Sequence, residues 1–243
     1  MKTLGLIGGT SWVSTADYYR RLNEGVHAKL GGVNSAPLLL HSFNFAGVRA
    51  LIDRADWTTL GTRLADVARH LEDAGAEGLM LCANTLHVAA DAVRQAVDVP
   101  VLHIAEATTR AITDRGLDCV GLLGTRATME LPFFSQTLAG QGITARIPET
   151  DDRAFVHRTI MEELGQNRFT DATRQRYLQL MDRLHGEGAQ GMVLACTEIP
   201  LLVGPDDTDL PLFDTLALHA QAGVDFILDD PDENTGAGSP TDS

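Results

Sequence analysis

A thiol, a hydroxyl and a carboxylate stand together at Cys196-Thr197-Glu198, directly after the apolar run Met192 to Ala195. A strand that ends in polar groups is where open α/β sheets bind ligands, beside helix amino termini whose free N–H groups suit carboxylates or phosphates. A helix start at this point is expected to pull the Cys196 thiol below its ordinary pKa of about 8.5 and favour thiolate. Three more strand ends carry small hydroxyl or amide residues: Gly8-Gly9-Thr10-Ser11, Ala83-Asn84-Thr85 and Thr125-Arg126-Ala127-Thr128. Together the four loops offer many hydrogen bonds and little fixed positive charge. Such a lining suits a small anion better than a nucleotide, and neither G-x-G-x-x-G nor G-x-x-x-x-G-K-[ST] occurs.

The other candidate groups carry blander readings. Cys82 lies inside a strand-like run, so alternation points it away from the face of residue 83 and into the core. Cys119 opens a buried strand. His87, three residues after Asn84, and His219, one turn into the last helix, could each orient a ligand or simply be satisfied by a backbone carbonyl. No clustered Cys/His spacing suggests zinc, and no metal is expected.

These groups must be positioned by an alternation of strands and helices. Thr3 to Ile7 reads as a strand, a helix follows from about Thr15 to Leu30, Ala36 to Ser42 is a second strand, and Trp57 to Gly75 is amphipathic. Strand Gly78 to Cys82, a helix from about Thr85 to Ala96 and strand Val101 to Ile104 come next. The order then restarts at Cys119 to Leu123, continues through strand Ile143 to Ile147 and helices at Asp151 to Leu164 and Thr170 to Gly186, and reaches Met192 to Ala195. Gly5-Leu6-Ile7-Gly8 matches Gly121-Leu122-Leu123-Gly124 at an offset of 121 − 5 = 116, and the run from Gly78 matches that from Gly191 at 191 − 78 = 113. Offsets so close indicate an internal duplication.

The fold class expected is α/β, with two pseudo-symmetric, Rossmann-like lobes of parallel sheet around an interlobe cleft. Residues 1–104 plus 211–228 form the first lobe and 105–210 the second. The tail 229–243 is polar, acidic and rich in breakers, and is expected to be disordered.

Composition narrows the partners. The 243 residues carry 33 acidic against 19 basic side chains, a net charge of −14, which argues against nucleic acid because nothing would release phosphate counterions. No apolar run approaches a membrane span and the amino terminus lacks a secretory pattern, so the cytoplasm is the expected compartment. Three widely spaced cysteines do not form a disulfide framework.

Taken in order, five motifs resemble the cofactor-independent aspartate/glutamate racemases. They are Gly5 to Trp12 with Ser14-Thr15 and Tyr18-Tyr19; Asn84-Thr85-Leu86-His87; Leu122-Leu123-Gly124-Thr125 with Thr128-Met129; Cys196-Thr197-Glu198-Ile199; and Phe213-Asp214-Thr215 with His219-Ala220. The resemblance implies two α/β lobes, usually dimerised, with a small acidic amino acid or related dicarboxylate held between them and no cofactor. It implies one acid/base residue from each lobe, flanking the substrate α-carbon. Cys196 takes the carboxyl-half position. Ala83 occupies the place of the second thiol, and alanine has no proton to exchange.

By the same resemblance, Asn84, Thr85, Thr125, Thr128 and Thr197 hold the substrate carboxylate and amino groups, with Thr10 and Ser11 in the first turn. Thr10 stands where a methionine is common. Arg49, after the second strand, reads either as a partner for a carboxylate or as a solvated arginine. Glu198 reads as a contact for the substrate ammonium or as a helix cap. Because of Ala83, two alternatives accompany racemisation: one-thiol chemistry such as decarboxylation of a malonate-like acid, and a catalytically silent amino-acid-binding protein.

Overall fold

A computed structural model describes residues 1–229, so the expectation for the tail beyond Asp229 lies outside the described residues. The first half contributes β1 (Leu4–Gly8), α1 (Trp12–Leu30), β2 (Leu38–Ser42), α2 (Phe45–Asp53), α3 (Trp57–Asp73), β3 (Gly78–Leu81), α4 (Ala90–Arg94), β4 (Val101–Leu102) and α5 (Ile104–Asp114). The second contributes β5 (Cys119–Gly124), α6 (Arg126–Glu130), α7 (Pro132–Ala139), β6 (Thr144–Arg146), α8 (Thr150–Glu162), α9 (Asp171–Gly186), β7 (Met192–Ala195), α10 (Ile199–Leu202), β8 (Leu212–Asp214) and α11 (Thr215–Leu228).

The strands make two four-stranded sheets, ordered β2-β1-β3-β4 and β6-β5-β7-β8, with every pairing parallel. The second sheet repeats the order of the first, as the internal match of the sequence predicts. Parallel sheets need cover on both faces, and strand alternation supplies it. Leu4, Leu6, Met80 and Cys82 face α1 and α11, whereas Ile7, Leu79 and Leu81 face α3 and α4. In the second sheet Val193 and Ala195 face α5 and α7, and Leu194 and Cys196 face α8 and α9.

The last helix of each half crosses to the other lobe. Ile104, Ala105 and Ile112 of α5 pack into the second-lobe core, and Leu216, Ala220, Val224 and Ile227 of α11 pack into the first. The two helices also pack on each other, which ties the lobes together. One detail departs from the sequence reading: residues 212–214 pair with β7 in the second sheet, so the return to the first lobe begins only at α11. The apolar strand is too short to reveal its partner in the sequence.

Local chemistry fixes the turns that open the cleft. Gly9 has φ +84°, and a Cβ there would meet the Phe43 backbone at 2.3 Å, so only glycine lets β1 turn toward Ser11. Ser11 then caps α1 by accepting from the Ser14 amide. The segment expected to be helical from Thr85 begins instead as a 3₁₀ turn, Asn84–Ala89, before α4. The Ala83 carbonyl, which an α-helix starting here would offer to the residue 87 amide, accepts from the His87 ring. Helix α2 has no counterpart among the elements read from the sequence; it carries Arg49.

Close approach of α11 to the first sheet yields a prediction. A Cβ on Gly223 would stand 2.7 Å from Leu22 and 2.8 Å from the Met80 sulfur. Gly223→Val is expected to lower the unfolding free energy by about 1–3 kcal/mol in urea titration. An unchanged midpoint would show that α11 does not press on the sheet.

Candidate active site

The carboxyl ends of the strands from both lobes meet along one seam. Thr85 and Thr125 bring their hydroxyls within 3.1 Å, and Thr125 and Thr128 within 3.0 Å. Thr125 also caps α6, accepting from the Thr128 amide at 3.3 Å. Asn84 donates through Nδ2 to Thr215 Oγ1 at 3.0 Å, and Thr215 donates to the Leu194 carbonyl at 3.1 Å. On the other side of the seam Ser14 Oγ and Thr197 Oγ1 are 2.7 Å apart.

Two buried polar atoms in this region, Asn84 Oδ1 and Thr10 Oγ1, have no hydrogen-bond partner among the described residues. Residues 84 and 10 are only 5% and 7% exposed, so both atoms are closed off from bulk solvent. An orphaned acceptor and an orphaned hydroxyl beside a strand end mark places where a ligand group would complete the bonding.

Cys196 lies at the end of β7, and its thiol donates to Glu198 Oε2 at 3.0 Å. Thr197 Oγ1 donates to the same oxygen at 2.7 Å. Burial raises the thiol pKa well above the ordinary value, the Glu198 charge and hydrogen bond raise it further, and the Thr197 and Glu198 amides only partly oppose them. This corrects the expected downward shift. Helix α10 has four residues, too short for a strong amino-terminal field, and a carboxylate lies against the sulfur. Glu198 makes no capping bond to α10, so the capping alternative is also set aside.

Cys82 faces the opposite side of its sheet, fully buried with Leu4, Leu6 and Tyr18, and burial pushes its pKa up. Ala83 packs against the α3 side, the face equivalent to that of Cys196 in the second lobe. The thiol and the alanine therefore occupy matching positions, one per lobe. Cys119 is partly buried at the start of β5, remote from the strand's carboxyl end.

His87 is satisfied by the backbone, and His219 by the backbone and Tyr18. His87 donates from Nδ1 to the Ala83 carbonyl at 3.0 Å and accepts from the Ile104 amide at Nε2, 3.2 Å. His219 accepts from the Tyr18 hydroxyl at Nδ1, 2.9 Å, and donates from Nε2 to the Leu102 carbonyl, 3.0 Å. Burial holds His87 well below the usual imidazole range and His219 down to about 4, so both are neutral props for the strand ends. Arg49 bridges the lobes at the rim: Nε donates to Asp53 at 2.6 Å and Nη1 lies 3.2 Å from the Met161 sulfur of α8. Ser14 and Thr215 also join the seam, although their local sequence does not mark them as site residues. Both stand within motifs of the sequence, but their function shows only when the lobes close. A hollow of about 580 Å³ between α3 and α4, lined by Trp57, Gly61 and Ala92 among others, contains none of these groups. Among the described residues no three His, Cys, Asp or Glu side chains gather to hold a metal.

Two parallel α/β lobes thus bring a thiol, a carboxylate and several hydroxyls to facing strand ends. The sequence matches the Asp/Glu/Hydantoin racemase family over residues 7–223, and the chain belongs to that family. A candidate Asp/Glu racemase structure from Yersinia pestis is 44% identical, with a TM-score of 0.90 over 94% of this chain and 100% of that one. An aspartate racemase homologue from Pyrococcus horikoshii OT3 is 31% identical, with a TM-score of 0.82 over 93% and 99%. The broad specificity amino-acid racemase RacX of Bacillus subtilis (strain 168) is 26% identical over 165 residues, 68% of this chain and 71% of its own.

The carboxylate beside the sulfur yields a signed prediction. Glu198→Gln removes a negative charge and the carboxylate acceptor, so the Cys196 thiol should ionise at lower pH. Peptide-mapped alkylation across a pH series should show Cys196 reacting faster than in wild type, with Cys82 inert in both until unfolding. An unchanged or slower Cys196 would contradict the assigned cause.

Proposed function

We propose that the protein is a pyridoxal-independent amino-acid racemase acting on a small acidic amino acid such as aspartate or glutamate, with Cys196 as its principal acid/base. The observation that carries the reading is the buried Cys196 thiol hydrogen-bonded to Glu198 at a seam where Asn84 Oδ1 and Thr10 Oγ1 await partners. The family and the amino-acid racemase among its relatives support it.

In this reading the substrate carboxylate takes hydrogen bonds from Thr85, Thr125 and Thr128, replacing the hydroxyl contacts that now close the seam. The ammonium donates to Asn84 Oδ1, with Thr10, Ser11 and Thr197 beside it. Arg49 at the rim meets the side-chain carboxylate. An α-proton is a very weak acid, so the carbanion-like state needs a strong base and oriented donors around the carboxylate. A thiol whose pKa is raised by burial gives a more basic thiolate, and Glu198 is placed to take the proton that must first leave. No cofactor enters these steps, which side chains perform by moving protons. We place the enzyme in the cytoplasm as a homodimer, with lobes divided near residue 104 and joined again by α11.

Ala83 supports a second reading, in which the single thiol protonates one face of a carbanion formed by decarboxylation of a malonate-like acid. A protein that binds an amino acid without turning it over is the remaining alternative. Chiral chromatography of L- and D-aspartate and glutamate after incubation separates these from racemisation. Cys196→Ala should reduce inversion by roughly a hundredfold to ten-thousandfold. Cys82→Ala should leave inversion intact, and Ala83→Cys should raise it. Binding without inversion of any of the four would overturn the racemase reading for these substrates.

A further inference from the structure

Racemisation at this seam needs a proton delivered to the face opposite Cys196, and the first lobe offers few groups able to supply one. Ala83 has no proton. Cys82 lies in the core on the other side of the sheet. Both nitrogens of His87 are committed to the backbone. The Thr10 hydroxyl is unlinked to any acid that could recharge it. Ser11 Oγ faces the Ser14 amide as its cap.

Ser14 differs. It belongs to α1 in the first lobe and is 4% exposed, and its hydroxyl crosses the seam to Thr197 at 2.7 Å. Thr197 contacts Glu198 at 2.7 Å, and Glu198 contacts the Cys196 sulfur at 3.0 Å. A continuous chain of hydrogen bonds therefore joins the second-lobe thiol to a first-lobe hydroxyl.

Resting on the racemase reading, we infer that Ser14 is the second catalytic acid/base, served by a proton relay through Thr197 and Glu198 to Cys196. In one direction the cycle starts from Cys196 thiolate and Glu198 carboxylic acid. The Cα–H bond breaks, its proton joins the sulfur, and the electron pair stays on the α-carbon next to the carboxylate. The Ser14 O–H proton forms the new Cα–H bond on the opposite face. Ser14 recovers a proton from Thr197, and Thr197 recovers one from Glu198, the two hydroxyls reorienting as it passes. Cys196 thiol and Glu198 carboxylate remain, and transfer of the thiol proton across 3.0 Å restores the start. For the other enantiomer every step reverses, beginning from thiol and carboxylate. No proton is gained or lost and nothing is oxidised, so the Cys196–Glu198 pair needs to share only one proton between them.

The test is NMR of α-deuteration in D₂O, with chiral analysis of the same samples, for wild type, Ser14→Ala and Ser14→Thr on both enantiomers of aspartate and glutamate. Ser14→Ala keeps the backbone amide that donates to the Ser11 cap of α1, and thermal unfolding checks that it folds. Wild type should exchange and invert both enantiomers. Ser14→Ala should still exchange the enantiomer that presents its α-proton to Cys196, while inversion falls by roughly a hundredfold or more. Ser14→Thr, which keeps the hydroxyl, should recover inversion. Inversion by Ser14→Ala at the wild-type rate would overturn the relay and leave the racemase reading standing, as would loss of exchange from both enantiomers in a folded Ser14→Ala. Wild type that neither exchanges nor inverts any of the four would overturn both.

Discussion

Parallel strands covered on both faces leave one edge for chemistry, and the rest of the site follows from that constraint. With α1, α3, α4 and α11 over the first sheet and α5, α7, α8 and α9 over the second, the sheet faces are covered and ligand chemistry falls to the carboxyl ends of the strands and the adjoining helix starts. The exchange of α5 and α11 between halves holds these two edges face to face. Strand alternation then decides which side chain at each edge looks which way. It sends Cys82 and Ala195 into the cores, and it leaves Ala83 and Cys196 as equivalents on the other face. The asymmetry of the chemistry, one thiol and one methyl, is thus written on a nearly symmetric frame.

Electrostatics at the surviving thiol run opposite to the simplest expectation. A strand end followed by a helix suggests an easily ionised cysteine, yet α10 is short, the sulfur is desolvated and Glu198 is in direct contact. These factors favour a resting thiol that can yield its proton to a carboxylate at hydrogen-bond distance. Proton abstraction from carbon benefits from such a base, because desolvation that makes the thiolate hard to form also makes it strongly basic once formed. Hydroxyls supply nearly all other polar contacts at the seam, so oriented dipoles outweigh fixed charge there.

Much of this was legible in the sequence, for physical reasons. Short apolar runs ending in glycine and hydroxyl residues mark β1, β3, β5 and β7, and period-two alternation assigns the opposite facing of residues 82 and 83. The internal match between residues 5–8 and 121–124 anticipates the repeated strand order. Helix α2 leaves no clear periodic stripe in the sequence because its turns are mostly exposed and only Val48 and Leu51 are buried. The partner of β8 could not be read, since three residues carry no register information beyond their apolarity. Ser14 and Thr215 acquire meaning only through residues 183 and 131 positions away, contacts that no local pattern encodes. The backbone carbonyls that satisfy His87 and His219 are equally invisible to spacing.

The central claim is that the Cys196 sulfur breaks the Cα–H bond of an amino acid held at the seam. Its most direct test is loss of label to solvent from the enantiomer of α-deuterated or α-tritiated aspartate or glutamate that presents its α-hydrogen to Cys196, the one that Ser14→Ala still exchanges, followed with wild type and Cys196→Ala at matched ligand occupancy. Wild type should wash out the label and the variant should retain it. Retention by both, or equal washout by both, would contradict the claim.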